Sequence, residues 1–462
     1  EKVEELQDGW CYIINYQYDI EISQKNRFFK YLNDEKQMIL NVKKNSIVFA
    51  NKSIIEAEIP SYITEIESFS FYSCKKLKTV KFSENSSLKK IGQRAFRNTC
   101  IQNFTIPKSV EQIDKSAFYG CWNLKQVEIE DESKLQSISD SMFCSCNKLE
   151  YVKIPEKSEI KIIQRNSFGF CPITQIYIPS TVEEIDENLC MYNKKLVDIK
   201  VSPKNKNFKV HCGMLFGKSD NDSENFDIIK LACQNISNTI IPDNVKYIEQ
   251  YAFQSCVNLN IKISDESELK ILGKSAFHYC DNLPVFNIPK SLKFIGNEAF
   301  HHSNIESLYI PASLEELEEG WCSSTKNLKK IIISPQNKLI KYLDEQKEIL
   351  ISKSDKNSTE YDSIIFCKRD VKHIKIPTYI KHIQSYSFEY CDELTTIEIP
   401  ENSQLQTIGK NAFSHSQINS IFIPSEVESI EEGFLYSNYK LNEVLISPTN
   451  RCFTYGDELH QI

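Results

Sequence analysis

A single segment returns along almost the whole chain and limits what the chain can fold into. Ile113 to Ile129 reads IDKSAFYGCWNLKQVEI, and the same frame appears as IESFSFYSCKKLKTVKF from Ile66, ISDSMFCSCNKLEYVKI from Ile138 and IQSYSFEYCDELTTIEI from Ile383. Written as a pattern it is I-x-x-x-x-F-x-x-C-x-x-L-x-x-V-x-I, usually followed by Pro and a short V-x-x-I link. One such unit cannot bury its own apolar face, so the chain must stack its units.

The Phe slot falls at Phe71, Phe96, Phe118, Phe143, Phe168, Cys190, Phe253, Phe277, Phe300, Cys322, Phe388, Phe413 and Leu435. That is about 13 repeats, most spaced by about 22–25 residues, within the leucine-rich-repeat range. Within a unit, Leu124, Val127 and Ile129 predict a short strand that Pro can end, as at Pro107 and Pro179. The S-A-F-x-x-C part predicts a tight helical turn that drops Phe into the core. The predicted fold is a β-rich solenoid of the α/β leucine-rich-repeat class, residues 1–462 forming one stack.

A second element interrupts the repeat. EISQKNRFFKYLNDEKQMIL starts at Glu21 and is echoed from Val201, Ile333 and Ile446. Alternating β-rich segments around polar turns predict β-hairpin islands over 22–58, 201–240, 333–375 and 446–462. Residues 1–21 read as a cap or a degenerate first repeat. The last island stops at Ile462 before its return strand, which predicts further chain downstream. The chain starts at Glu1 with no visible leader, so a removed leader or a longer parent chain is expected.

Composition excludes several function classes. The formal charge of -8, with Lys interleaved among Glu, argues against a nucleic-acid backbone as ligand. No apolar run reaches the roughly 18 residues of a membrane helix. Seven of the 16 cysteines (Cys74, Cys121, Cys146, Cys171, Cys256, Cys280 and Cys391) share one slot three residues after the Phe, where Thr99, Asn193, Ser303, Thr325, Ser416 and Asn438 stand elsewhere. A slot shared by Cys, Ser, Thr and Asn predicts a small, buried, hydrogen-bonding corner. Bridging between stacked neighbours, such as Cys121 with Cys146, is the alternative.

No phosphate loop, GxSxG, HExxH or paired-Cys zinc pattern occurs, and Gly is scarce, so the chain reads as non-enzymatic with no cofactor and no metal. His278, Cys280, His301 and His302 could meet on adjacent coils; the reading taken is corner histidines on a solvated edge. Glu315, Glu316, Glu318, Glu319, Glu431 and Glu432 read as a solvated face, with docking of a basic partner as the alternative. Sequons at Asn51, Asn85, Asn103, Asn221, Asn235 and Asn357 are about as many as chance supplies.

The frame I-x-x-x-A-F-x-x-C-x-x-L-x-x-V-x-I-P, carried by Ala95-Phe96, Ala117-Phe118, Ala252-Phe253, Ala276-Phe277, Ala299-Phe300 and Ala412-Phe413 with the Cys ladder, resembles the BspA-like leucine-rich-repeat family. The resemblance implies a surface-displayed or secreted protein that binds host or matrix proteins, glycans or other cells. An intracellular scaffold, and hence a cytoplasmic location, is the alternative. The outward position of the V-x-I strands is mostly polar early (Lys81, Thr105, Glu128, Lys153) and later includes Tyr177, Tyr309, Ile332, Phe422 and Leu445, with Tyr151 one slot earlier in its strand. These are the candidate ligand-binding residues. Cross-strand packing or cover by an island is the competing account.

Overall fold

A computed structural model describes residues 3–7, 10, 20–220, 222–355 and 357–453. Most of the 1–21 segment and of the 446–462 island therefore lies outside the described residues. The chain forms two compact units, Glu1–Asn235 and Ile236–Ile462. Both are β-solenoid, about 17 turns in all. That exceeds the thirteen read from the Phe slot; strands of the interrupting meanders, such as Ser46–Ala50 and Ser363–Cys367, join the same sheets without a Phe slot of their own.

Each coil contributes two short strands and one corner. In the first unit, Asn103–Ile106, Gln126–Ile129 and Tyr151–Lys153 pair in parallel, residue 104 opposite 127 and 127 opposite 152. In the Gln126–Ile129 strand Val127 and Ile129 are buried and Gln126 is exposed, as the alternating pattern demands. The V-x-x-I link forms a second parallel sheet of two-residue strands, including Glu65–Ile66, Lys90–Ile91 and Gln112–Ile113. The second unit repeats the arrangement, with Val285–Phe286, Ser307–Ile310 and Lys330–Ile333 in one sheet and Ile271–Leu272, Phe294–Ile295 and Glu316–Leu317 in the other.

The corner differs from the helical turn that the S-A-F-x-x-C spacing predicts, and no α-helix occurs among the described residues. In all thirteen coils the residues two before and two after the Phe slot have positive φ, for example Arg94 (55°) and Asn98 (59°) around Phe96. These left-handed positions turn alternate amides in different directions. Arg97 N–H and Thr99 N–H donate back to Arg94 and Phe96 (3.2 and 3.3 Å), while Phe96 N–H and Asn98 N–H donate to Ala117 and Tyr119 of the next coil (2.8 and 2.9 Å). A helix would direct every amide within the coil and leave the stack without these bonds. Gly120 serves one such position (φ 68°), where a Cβ would lie 2.4 Å from Asn98 Oδ1. Gly92 answers a different need: a Cβ there would lie 2.4 Å from the Ser68 backbone nitrogen, so coils can approach this closely only at glycine.

The core is a ladder of phenylalanines. Phe71, Phe96, Phe118, Phe143 and Phe168 stack at centroid separations of 4.9, 5.3, 5.5 and 6.0 Å, and none is more than 1% exposed. The corner slot beside it satisfies buried backbone carbonyls. Four of its cysteines donate to the carbonyl of the buried Phe in the preceding coil: Cys121 Sγ to Phe96 (3.1 Å), Cys146 to Phe118 (3.2 Å), Cys171 to Phe143 (2.9 Å) and Cys280 to Phe253 (3.2 Å). Asn438 makes the equivalent bond to Phe413 (2.7 Å), while the shorter Ser303 hydroxyl donates to Phe300 of its own coil (2.7 Å), so Cys, Ser and Asn can all fill the slot with a donor satisfied. Cys121, Cys146 and Cys171 are unbridged, buried thiols, whereas Cys212 and Cys452 are exposed. An alkylating reagent is expected to modify Cys212 and Cys452 within minutes in native protein and the other three only in denaturant. Peptide mapping after a timed pulse checks this; comparable labelling at Cys121 would contradict the buried ladder.

Between coils three antiparallel meanders interrupt the parallel stack: Phe29–Tyr31, Met38–Asn41 and Ser46–Ala50; Lys209–His211, Met214–Gly217 and Ile228–Ala232; Ile340–Tyr342, Ile349–Ser352 and Ser363–Cys367. The last strand of the first and third meanders pairs in parallel with a solenoid strand, Ser46–Ala50 with Glu65–Ile66 and Ser363–Cys367 with His382–Ile383. These meanders are thereby part of the solenoid's own sheet.

Candidate functional site

Inward Val and Ile on each V-x-I strand force the residue between them outward, and the parallel register lines those residues up. Tyr309 lies opposite Ile332, and Phe422 opposite Leu445, both within the second unit. In each pair the aromatic ring is half-buried and the aliphatic partner is exposed, Ile332 at 46% and Leu445 at 42%. The remaining two candidates sit differently. Tyr151 is half-buried opposite Gln126. Tyr177, opposite Lys200, donates its hydroxyl to Glu156 Oε2 at 2.7 Å. Glu156 also accepts from Ser202 Oγ (2.9 Å) and the Ser180 amide (3.3 Å). Burial alone would push its carboxyl up, and these donors outweigh burial and hold it below the usual carboxylate value. Tyr177 is thus tied to the coil before it, while Ile332 and Leu445 present apolar surface with no such tie.

Other exposed side chains belong to the corners. Trp122 directly follows a ladder cysteine, and Phe170 at a left-handed position stacks on Tyr192 at 4.8 Å. Tyr436 and Tyr439 are exposed at 64% and 87%. The sequence signal for Phe170 is its place two residues after the Phe slot; reading that slot as a helical turn hides it.

The histidine cluster is not the solvated edge that its position predicts. His278 is buried and packs on His301 at 4.6 Å and on Tyr279 at 4.4 Å. Burial, with His278 and His302 nearby, pushes His301 down to about 3, so it is neutral at physiological pH. Its Nδ1 is 2.6 Å from Ser323 Oγ, and the Cys280 thiol already donates to Phe253. Among the described residues no group of three or more His, Cys, Asp or Glu side chains could hold a metal ion.

Several carboxylates of the acidic links are not merely solvated. Glu318 accepts from the Asn297 amide (2.6 Å) and Glu431 from the Lys410 amide (2.9 Å), each in the preceding coil. Asp186 does the same for Arg165 (3.2 Å). In these three coils the acidic residue just after the second strand's Ile or Leu therefore laces one coil to the one before it. A polar groove on the second sheet of the first unit, lined by residues such as Gln93, Gln112, Ser137 and Gln164, has Lys90 held 3.5 Å from both Glu65 and Asp114. Its cation is balanced from within.

No helix among the described residues is long and apolar enough to cross a membrane. The family model described as "BspA type Leucine rich repeat region" matches in six copies over residues 43–159, 128–219, 230–343 and 359–458. Among curated proteins, none matches the sequence. Of solved structures, the pneumococcal vaccine antigen PcpA is similar at 18% identity and a TM-score of 0.51, with 75% of each chain covered. A leucine-rich cell surface protein of Faecalibacterium prausnitzii A2-165 is similar at 20% identity and a TM-score of 0.46, with 96% of this chain and 100% of that one covered.

Proposed function

The chain belongs to the BspA-type leucine-rich-repeat family, and from that premise we propose that it is a non-enzymatic interaction module, displayed at a cell surface or secreted, that binds a host or matrix protein or a cell-surface glycan through its V-x-I strand face. The observation that carries this reading is the outward pairing of Tyr309 with Ile332 and of Phe422 with Leu445. In each, a half-buried ring lies opposite an exposed aliphatic side chain on hydrogen-bonded parallel strands, so little backbone entropy is lost when a partner covers it. Several charged side chains elsewhere on this face are paired across coils, Lys153 with Glu128 at 2.5 Å and Lys81 with Glu56 at 3.4 Å.

Immobilised chain is to be titrated with a panel of extracellular-matrix proteins and with intact epithelial cells, alongside Ile332→Glu and Leu445→Glu. Central hot-spot losses of about 2 kcal/mol or more correspond to roughly thirtyfold weaker binding, the loss expected for whichever pair the partner covers. Binding that survives both substitutions unchanged, in variants with wild-type circular dichroism, would remove this face as the binding surface. A chain that binds none of the panel but retains a cytosolic protein of its own cell in a Leu445-dependent manner would overturn surface display in favour of an intracellular scaffold.

A further inference from the structure

We propose that the polar groove on the second sheet of the first unit is a binding site for an uncharged, linear oligosaccharide, separate from the V-x-I strand face. The groove has a volume of about 590 Å³, within the range of small-ligand sites. It crosses five successive coils, and Ser68, Gln93, Gln112, Ser137 and Gln164 each come from a different one. At about 4.8 Å per coil that makes a trough roughly 19 Å long, which suits a linear ligand better than a compact one.

Three of its amides are already aimed by the chain. Gln112 Nε2 donates to Asp114 Oδ1 (2.6 Å), and Gln136 Nε2 donates to Glu159 Oε2 (2.6 Å) and the Lys134 carbonyl (2.9 Å), so each keeps its Oε1 as an acceptor. Gln164 is used the other way round: its Oε1 accepts from the Asp140 amide (2.9 Å), which leaves Nε2 as a donor. Side chains fixed in this way lose little rotamer freedom when a ligand arrives. Ser139, 6% exposed, also lines the groove, and its Oγ has no hydrogen-bond partner among the described residues. Buried hydroxyls are paired as a rule, directly or through an ordered water, and an occupant of the groove supplies what this one lacks.

Charge and polarity select the class of ligand. The lining holds Lys90 and Lys115 against Glu111 and Asp114, so its formal charges cancel. Lys90 is shared between Glu65 and Asp114, and Glu111 lies 2.9 Å from Lys89. A sulfated glycan or a nucleic-acid backbone finds no excess of cation here. A peptide fares no better: the one apolar side chain of the lining, Ile113, is 3% exposed, and a sheet face offers no free edge to which a strand could add. Sugar hydroxyls both donate and accept, so a row of them can meet the acceptors of Gln112 and Gln136 and the donor of Gln164 together. With no aromatic ring among the lining residues, affinity rests on these hydrogen bonds.

The full chain is to be screened on an array of neutral, sulfated and sialylated oligosaccharides, and the best neutral binder titrated by calorimetry. Neutral linear sugars are expected to bind in preference to charged ones. Gln112→Ala, and Gln164→Glu, which keeps the oxygen that caps the Asp140 amide, should each weaken binding roughly threefold or more, the worth of one hydrogen bond. Ser137→Tyr fills the trough from within and should abolish binding, whereas Ile332→Glu on the V-x-I face should leave it unchanged, all in variants with wild-type circular dichroism. An array without a neutral binder, or with charged binders alone, would overturn the proposal. So would binding that persists in Ser137→Tyr or is lost in Ile332→Glu, since either places the sugar elsewhere.

Discussion

Phe118→Ala is expected to destabilise the first unit by about 3–5 kcal/mol. Phe118 is fully buried and touches Phe96 at 5.3 Å, Phe143 at 5.5 Å and Phe104 at 4.6 Å. The ring is a rung of a ladder, so its removal opens a void that neither neighbour can fill without leaving its own stack. Coils are held by hydrogen bonds on both sides of that void, which restrains collapse. In a stacked array the damage is local in origin but is transmitted through nearest-neighbour interfaces. Chemical denaturation should therefore show either a lowered single midpoint or a separate early transition, and hydrogen exchange should place the loss of protection at residues 92–146. A loss below about 1 kcal/mol would mean the coils do collapse, and the ladder would not be the source of stability argued for it.

Glu389→Ala is expected to cost the second unit about 1–3 kcal/mol, because it strands a buried backbone amide. Elsewhere the amide two residues after the Phe slot donates to a carbonyl of the next coil, as His302 does to Ser323 (3.3 Å) and Tyr390 to Ser414 (3.0 Å). At Ser324 the chain departs into the third meander, and the next corner in the stack comes from residues 386–391. Glu389, 5% exposed, repairs the break: its Oε2 accepts from the Ser324 amide at 2.6 Å, and Oε1 lies 3.3 Å from Ser324 Oγ and 3.5 Å from Ser414 Oγ. Glu319 does the matching task one strand away, accepting from the Ser385 amide at 3.1 Å. A carboxylate stands in for a missing backbone carbonyl.

The pH dependence of that variant has a definite sign. Burial raises the Glu389 carboxyl above its ordinary value of 4.5, although the Ser324 amide, Arg369 and two hydroxyls oppose the rise. A carboxyl that binds its proton more tightly when folded stabilises the fold most below its unfolded value, and this contribution is lost as pH rises through the raised folded value. The stability gap between wild type and Glu389→Ala should accordingly be wider near pH 4 than at pH 7. A gap that widens with rising pH would show that the charge of Arg369 and the donors to Glu389 outweigh burial.

The repeat was legible because every coil must present the same apolar contacts to its neighbours. Phe71 through Phe413 and the corner slot recur in the chain for that reason, and they predict the stack and its buried thiols from one dimension. The fate of the outward residues was not legible in the same way. Tyr177 and Tyr309 hold the same slot, yet Tyr177 is tied to Glu156, 21 residues back, and Tyr309 lies opposite Ile332. Glu318 and Glu319 look like a solvated pair, but each caps an amide, Asn297 in the coil before and Ser385 across the meander.

The chain by itself determined the period, the buried rungs and the family, since burial against an identical neighbour leaves a mark at every repeat. Tertiary structure alone decided the left-handed corner and the partners of the polar side chains. A backbone amide has no side chain through which its direction could be written. A carboxylate's partner, 21 residues away at Asn297 or 65 at Ser324, comes within reach only once the coils have closed on one another.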